Sequence, residues 1–183
     1  MFVIDASGSV KQENFDKIIN FIKNFLENAD IDGGHVRVGV NVYSTGSVIE
    51  FNLNTYNNKG DLFNAIDALH YQKGWTNTAS ALKDMREIMF TEANGDRPDV
   101  DNVAIVLTDG QSNRNSKKTI PYADAARNEG IHIYGIGVGL KETEELKGIS
   151  NKPVSENMFT IDNFDELDGL EKRVFAAVCG KTL

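Results

Sequence analysis

Two segments of the chain, Val103-Ala104-Ile105-Val106-Leu107 and Ile131–Val138, are nearly unbroken apolar runs. Such runs belong to strands buried on both faces of a parallel sheet. Shorter apolar stretches at Phe2–Asp5, Val36–Ser44, Val48–Leu53 and Met158–Ile161 predict four further strands. Between them the apolar positions change to helical spacing. Phe15, Ile18, Ile19, Ile22, Phe25 and Leu26 predict a first helix, and Leu62, Ile66 and Leu69 a second. Ala79, Leu82, Met85 and Met89 predict a third, and Tyr122–Asn128 a short fourth. Phe164, Leu167, Leu170, Val174 and Val178 predict a last helix, which Asn163 or Asp165 would cap. Gly135, Gly137 and Gly139 alternate along one strand, so helices are expected to pack close to the sheet there.

Only Thr45-Gly46-Ser47 separates the second and third strands. That is too short for a parallel crossover, so the two form a hairpin. Helices separate the other strands, which implies right-handed parallel crossovers. The expected fold is α/β and doubly wound, Rossmann-like: a mostly parallel six-stranded sheet with one antiparallel strand and helices on both faces.

Composition narrows the function classes. The 183 residues are 40 % hydrophobic and 25 % charged, which is globular, and no linker or repeat interrupts them. One domain over 1–183 is expected. The net charge of −8 opposes a phosphate backbone, so no nucleic-acid partner is expected. No apolar run approaches the roughly 20 residues of a membrane span, so no insertion is expected. One cysteine, Cys179, allows neither an internal disulfide nor a zinc finger. An apolar strand begins at Met1 with no leader before it, which reads as a module cut from a longer chain.

In this fold class, ligands bind beyond the carboxyl ends of the strands, where strand order reverses. The first strand runs into Asp5-Ala6-Ser7-Gly8-Ser9, and the fourth into Thr108-Asp109-Gly110. A third polar loop, Gly74-Trp75-Thr76-Asn77-Thr78, precedes the third helix. At a strand end curling into a loop, Asp5, Ser7 and Ser9 can converge, with Gly8 allowing the turn. All are hard oxygen donors, which suits Mg²⁺, Ca²⁺ or Mn²⁺ over zinc. Two carboxylates among neutral hydroxyls leave such an ion open to an acidic group from a partner. Taken alone, the first of these loops also suits a plain turn.

Together these segments resemble a von Willebrand factor type A domain, of the kind found in matrilins and type VI collagen. Val36-Arg37-Val38-Gly39-Val40, Tyr43-Ser44 and Ile133-Tyr134-Gly135-Ile136-Gly137-Val138-Gly139 extend the resemblance over almost the whole chain. The resemblance implies that Asp5, Ser7, Ser9, Thr76 and Asp109 form a metal-ion-dependent adhesion site. It further implies a secreted, extracellular-matrix setting and a protein partner presenting an acidic side chain, such as collagen or another matrix protein. Trp75 departs from the family pattern, which usually has Gly there. Its ring either lines the ligand face or folds back on His70-Tyr71. Tyr71, Trp75, Gln111, Asn113 and Arg114 are the candidates for side contacts. In matrix-type members, a cysteine after the last helix commonly pairs with one before the first strand. Cys179 is therefore expected in a module-closing or intermolecular disulfide, with an unpaired thiol as the alternative.

Other chemistries fit less well. Gly135, Gly137 and Gly139 lack dinucleotide-loop spacing. Asp5 as a phosphoryl-transfer nucleophile has no partner acid and no basic cradle, so no enzyme is expected. A metal-independent structural matrix module and an intracellular type A domain of a protein complex remain the competing readings.

Overall fold

The structure, a computed structural model, describes residues 1–180. Its strands are β1 (Phe2–Asp5), β2 (Val40–Tyr43), β3 (Ser47–Phe51), β4 (Val103–Thr108), β5 (His132–Val138) and β6 (Met158–Ile161). Its α-helices are α1 (Gln12–Leu26), α2 (Lys59–Asp67), α3 (Thr78–Asp84), α4 (Ser116–Asn128), α5 (Glu144–Ile149), α6 (Val154–Asn157) and α7 (Leu170–Cys179). The sheet has six strands in the order β3-β2-β1-β4-β5-β6, with β3 antiparallel at one edge and the rest parallel.

Alternation along the central strands divides the core in two. Phe2, Ile4, Ile105, Leu107, Tyr134 and Ile136 face one layer, where they meet α1, α2 and α7. Met1, Val3, Ala104, Val106 and Ile133 face the other, against α3, α4 and Ile149 of α5. Phe15, Ile18 and Ile22 of α1 have no exposed surface. Each such side chain contributes about 1.5–3 kcal/mol of burial.

Elements differ from the sequence pattern where a local feature overrides periodicity. β2 starts at Val40 rather than Val36. The preceding Gly39 is wedged, since a Cβ there would lie 3.3 Å from the Met1 and Met89 methyls and the Phe51 carbonyl. The ladder also slips between Val40 and Asn41. The third helix continues past Asp84 as a π-turn over Met85–Met89. α4 starts at Ser116, six residues before the expected position, and carries Pro121 in its interior. The last apolar stripe splits into a 3₁₀ turn (Phe164–Leu167) and α7, because Gly169 takes a left-handed φ of 95°. Asn163 caps the turn, accepting from the Asp165 amide at 2.9 Å.

The alternating glycines of β5 act as expected. A Cβ on Gly135 would fall 2.4 Å from Ser150 Oγ and 2.7 Å from Leu146 Cδ1. One on Gly137 would fall 2.8 Å from Leu146 Cδ2. Leu146 of α5 therefore lies directly on the strand backbone. Gly135→Ala should overpack this contact and cost about 1–3 kcal/mol. Urea unfolding of the variant beside the parent checks it, and an unchanged midpoint would contradict this packing.

Candidate metal-ion site

The strand order reverses between β1 and β4, whose following helices α1 and α4 lie on opposite faces of the sheet. The crevice this opens is floored by Asp5, the last residue of β1, which has no exposed surface. Its Oδ1 accepts from the Ser7 amide at 2.9 Å, and its Oδ2 from the Thr108 hydroxyl at 2.8 Å. Above it, Ser7 Oγ and Ser9 Oγ are 3.2 Å apart, and Ser9 Oγ donates to Asp109 Oδ1 at 2.8 Å. Three sequence-predicted oxygens thus form a continuous arc, with Asp5 behind.

The loop that carries Thr76, itself buried, is pinned to the first. The Gly8 amide donates to the Gly74 carbonyl and the Lys73 amide to the Ala6 carbonyl, both at 2.9 Å. Gly8 serves by close approach rather than by an unusual turn, since a Cβ would stand 3.3 Å from the Gly74 carbonyl oxygen. Gly74 does need its freedom: its φ is +117°, and a Cβ would meet Thr45 Oγ1 at 2.5 Å. Asn113 ties the third loop to the second. Its Oδ1 accepts from the Thr76 amide at 2.8 Å, and its own amide donates to the Thr76 carbonyl at 3.0 Å. Among the described residues, the non-glycine positions with positive φ are Lys11, Lys73 and Asn115. One lies on each of the three loops, so the backbone strain is gathered around this rim.

The remaining candidates separate by environment. Tyr71 is half-buried under the first loop, with its hydroxyl donated to the Ser7 carbonyl at 3.1 Å and its ring 6.0 Å from that of Phe15. Gln111 is exposed and donates to Glu142 at 3.1 Å. Trp75 does not fold back: it is 56 % exposed, and the Arg114 guanidinium lies 5.7 Å from its ring centre.

Burial dominates the electrostatics. It pushes the Asp5 carboxyl up to about 6, with the Asp109 charge adding to the rise and hydrogen bonds from Ser7 and Thr108 opposing it. Burial also raises Asp109. Tyr43, the register partner of Asp5 on β2, is fully buried, and its hydroxyl is pushed well above the usual range by burial and then by the Asp5 charge. The Thr78 and Thr108 hydroxyls lie close enough to oppose that rise, though among the described residues neither the Tyr43 nor the Thr78 hydroxyl makes a hydrogen bond of good geometry. Sequence reading gave Tyr43 and Thr108 no role at the site and named Asn113 as a side contact rather than as the bridge between loops. Tyr43 and Thr108 did carry a signal, within Tyr43-Ser44 and Thr108-Asp109-Gly110.

A family model for the von Willebrand factor type A domain matches residues 1–173. The chain belongs to that family. Among the relatives of this A domain, the collagen alpha-6(VI) chain of Mus musculus is 36 % identical over 179 residues, covering 98 % of this chain and 8 % of that protein. Matrilin-1 of Gallus gallus is 33 % identical, covering 98 % of this chain and 36 % of that protein. The A domain thus spans a minor part of the length of these relatives. Proximal thread matrix protein 1 of the mussel byssus, solved with a zinc-occupied MIDAS motif, superposes with a TM-score of 0.88 at 28 % identity. That match covers 97 % of this chain and 47 % of the mussel chain. By kinship the A domain groups with secreted extracellular-matrix proteins, and none of these three relatives is named as an enzyme.

The donors of the A domain fit a hard divalent ion. Among the described residues no cluster of three or more His, Cys, Asp or Glu is placed to hold a metal. The rim is instead two carboxylates with hydroxyls. Neighbouring ligand oxygens in an octahedron with bonds of about 2.1 Å stand about 3 Å apart. The Ser7–Ser9 and Ser9–Asp109 separations of 3.2 and 2.8 Å match that spacing.

The raised Asp5 carboxyl sets a pH dependence. At about 6 against the usual 3.8, the folded chain holds a proton that the unfolded chain has released. The contribution of Asp5 to stability is therefore full below about pH 4 and is lost as pH rises to about 6, on the order of 3 kcal/mol. Thermal unfolding in chelator across this range should show the fall, and Asp5→Asn should flatten it. A slope unchanged in the variant would assign the titration elsewhere.

Proposed function

We propose that this A domain is an extracellular-matrix adhesion module that binds a protein ligand through a divalent-metal-dependent adhesion site. The observation that carries the reading is the arc Ser7–Ser9–Asp109 closed over the buried Asp5 carboxylate. Mg²⁺ is the ion proposed, with Ca²⁺ or Mn²⁺ as substitutes. When bound, it supplies a Lewis-acidic coordination position for a carboxylate.

Each residue has a separate task. Ser7, Ser9 and Asp109 present oxygens at the rim. Thr76 supplies a further hydroxyl, fixed in place by Asn113. Asp5 adds negative charge from behind and holds the first loop through the Ser7 amide. Two carboxylates balance a divalent charge, so a Glu or Asp from the ligand is attracted by the open coordination position rather than by net charge. The partner class is a matrix protein such as collagen. The kinship with collagen VI and matrilin supports that class.

Cys179 ends α7, is exposed, and lines the same surface hollow as Met1 and Phe2. That placement suits a disulfide that closes the module or joins it to another chain.

Calorimetric titration of Mg²⁺ into chelator-treated protein should give a binding isotherm. Ser9 is exposed, so Ser9→Ala spares the core while removing one rim oxygen. It should weaken Mg²⁺ by at least the roughly 10–100-fold that loss of an outer-shell partner costs. Capture of ligand from matrix extract should likewise be abolished by EDTA. A parent protein with no heat of Mg²⁺ binding would refute the metal site, and EDTA-insensitive capture would favour a metal-independent module.

A further inference from the structure

The rim carries a second chemical feature that metal coordination does not use. Arg114 is exposed, and among the described residues its guanidinium forms no hydrogen bond or ion pair. Arg173 shares this state among the described residues, exposed and 5.8 Å from the Phe159 ring centre. The remaining arginines are committed. Arg37 donates to the Gly95 carbonyl, Arg86 pairs with Glu87 and Glu129, Arg97 donates to Gly34 and His35 carbonyls, and Arg127 pairs with Asp124. Arg114 is instead held on the exposed face of Trp75. What separates Arg114 from Arg173 is position: its backbone is bonded to the loop that carries Thr76.

Its surroundings sharpen the charge. Arg114-Asn115-Ser116-Lys117-Lys118 brings three basic residues into five positions, all of them exposed. Lys117 and Lys118 appear in no ion pair with a neighbouring acid among the described residues. The segment opens α4, whose N-cap Asn115 makes no side-chain cap, so the first-turn amides add to the positive potential. The ledge is also fixed in register with the metal site. Trp75 immediately precedes Thr76, and the Arg114 amide donates to the Thr76 carbonyl at 3.1 Å.

We propose that Arg114, braced on Trp75 and flanked by Lys117 and Lys118, takes a second acidic side chain from the same ligand segment whose first carboxylate enters the metal site. The inference rests on the metal reading above and names the ligand's chemistry: a diacidic peptide segment rather than a single acidic residue. The guanidinium fork matches a carboxylate in bidentate geometry, and stacking on Trp75 lowers the entropy lost on engagement. With the divalent charge already balanced by Asp5 and Asp109, this ledge is what attracts a further anion. An extended ligand advances about 3.3 Å per residue. Arg114 is one loop contact from Thr76, so short spacings between the two acids are the ones to test.

The test uses immobilised eight-residue Gly/Ser peptides carrying one Glu, or two Glu separated by zero, one or two residues. Binding of the A domain is measured in Mg²⁺ and in EDTA, at low and raised salt. One two-Glu spacing should bind about five- to tenfold tighter than the one-Glu peptide, the worth of one ordinary net hydrogen bond at an exposed site. The gain should collapse to less than about twofold in Arg114→Gln and shrink with salt. Lys172→Gln, a charge removed from exposed α7 surface, should keep the gain. A one-Glu peptide that binds in Mg²⁺ with no gain from a second Glu would overturn the proposal while leaving the metal reading intact. A gain that survives Arg114→Gln would also overturn it. Loss of all Mg²⁺-dependent binding would overturn both readings. Tighter binding to heparin than to any two-Glu peptide would reassign the ledge to sulfated glycans.

Discussion

A carboxylate with no exposed surface, at the end of the central strand, is the constraint on which the rim of this molecule depends. Asp5 cannot be left bare in that position: an unpaired buried charge costs several kcal/mol, so its oxygens must be occupied. The fold meets this with one bond from each side of the crevice, the Ser7 amide from the first loop and the Thr108 hydroxyl from the end of β4. These two bonds lock the β1–α1 and β4–α4 connections together at the place where the sheet topology parts them. They do not neutralise the charge, and the carboxyl stays well above its ordinary pKa. A cation at the rim would lower that cost and would link folding to ion binding through one residue.

The second loop follows from the first. Its backbone is stitched under the Asp5 turn by the Gly8 and Lys73 amides and by the Tyr71 hydroxyl. Stitching three loops this tightly forces Lys11, Lys73 and Asn115 into the left-handed region, at a cost of order 1–3 kcal/mol each. Strain spread over all three loops, and absent elsewhere among described non-glycine residues, marks the rim as the place where geometry has been put ahead of stability.

Much of the scaffold was legible because burial writes itself into periodicity. Double-sided burial makes β4 and β5 continuous apolar runs, and the three-residue hairpin connection permits only one direction for β3. The alternating glycines of β5 announced a close helix without revealing which. That helix, α5, was unreadable because it is six residues long and opens on Glu144 and Glu145, which read as solvated surface. Glu145 in fact turns inward and accepts from the Ser112 amide at 2.8 Å. At the site, Asp5, Ser7 and Ser9 alternate along one loop, and Thr76 and Asp109 each sit in a short polar motif of their own, so all five could be named from the sequence. The roles of Tyr43 and Asn113 could not, since these residues act across strand register and between loops. Tyr43 lay in the Tyr43-Ser44 segment and Asn113 among the side-contact candidates, but nothing local to their sequence gives these particular roles.

The orientation of Trp75 is the clearest case of information that spacing does not hold. Both directions were consistent with the sequence, and one contact decides between them. The Arg114 guanidinium over the indole gives the exposed ring a reason to stand at the rim. Cation–π stacking of an exposed pair is worth only about 0.5–1 kcal/mol, too little to organise a loop. It is enough to hold a long side chain in one rotamer family when the backbone on both sides is already fixed through Thr76. The consequence is a division of labour across one rim. The oxygen arc sets the place of one anion by coordination geometry, and the Arg114–Trp75 pair sets the distance to the next. On the proposed reading, an acidic domain binding an acidic partner cannot rely on net charge, which is repulsive at long range. It needs short-range cationic positions in fixed register, and the three interlocked loops provide that register.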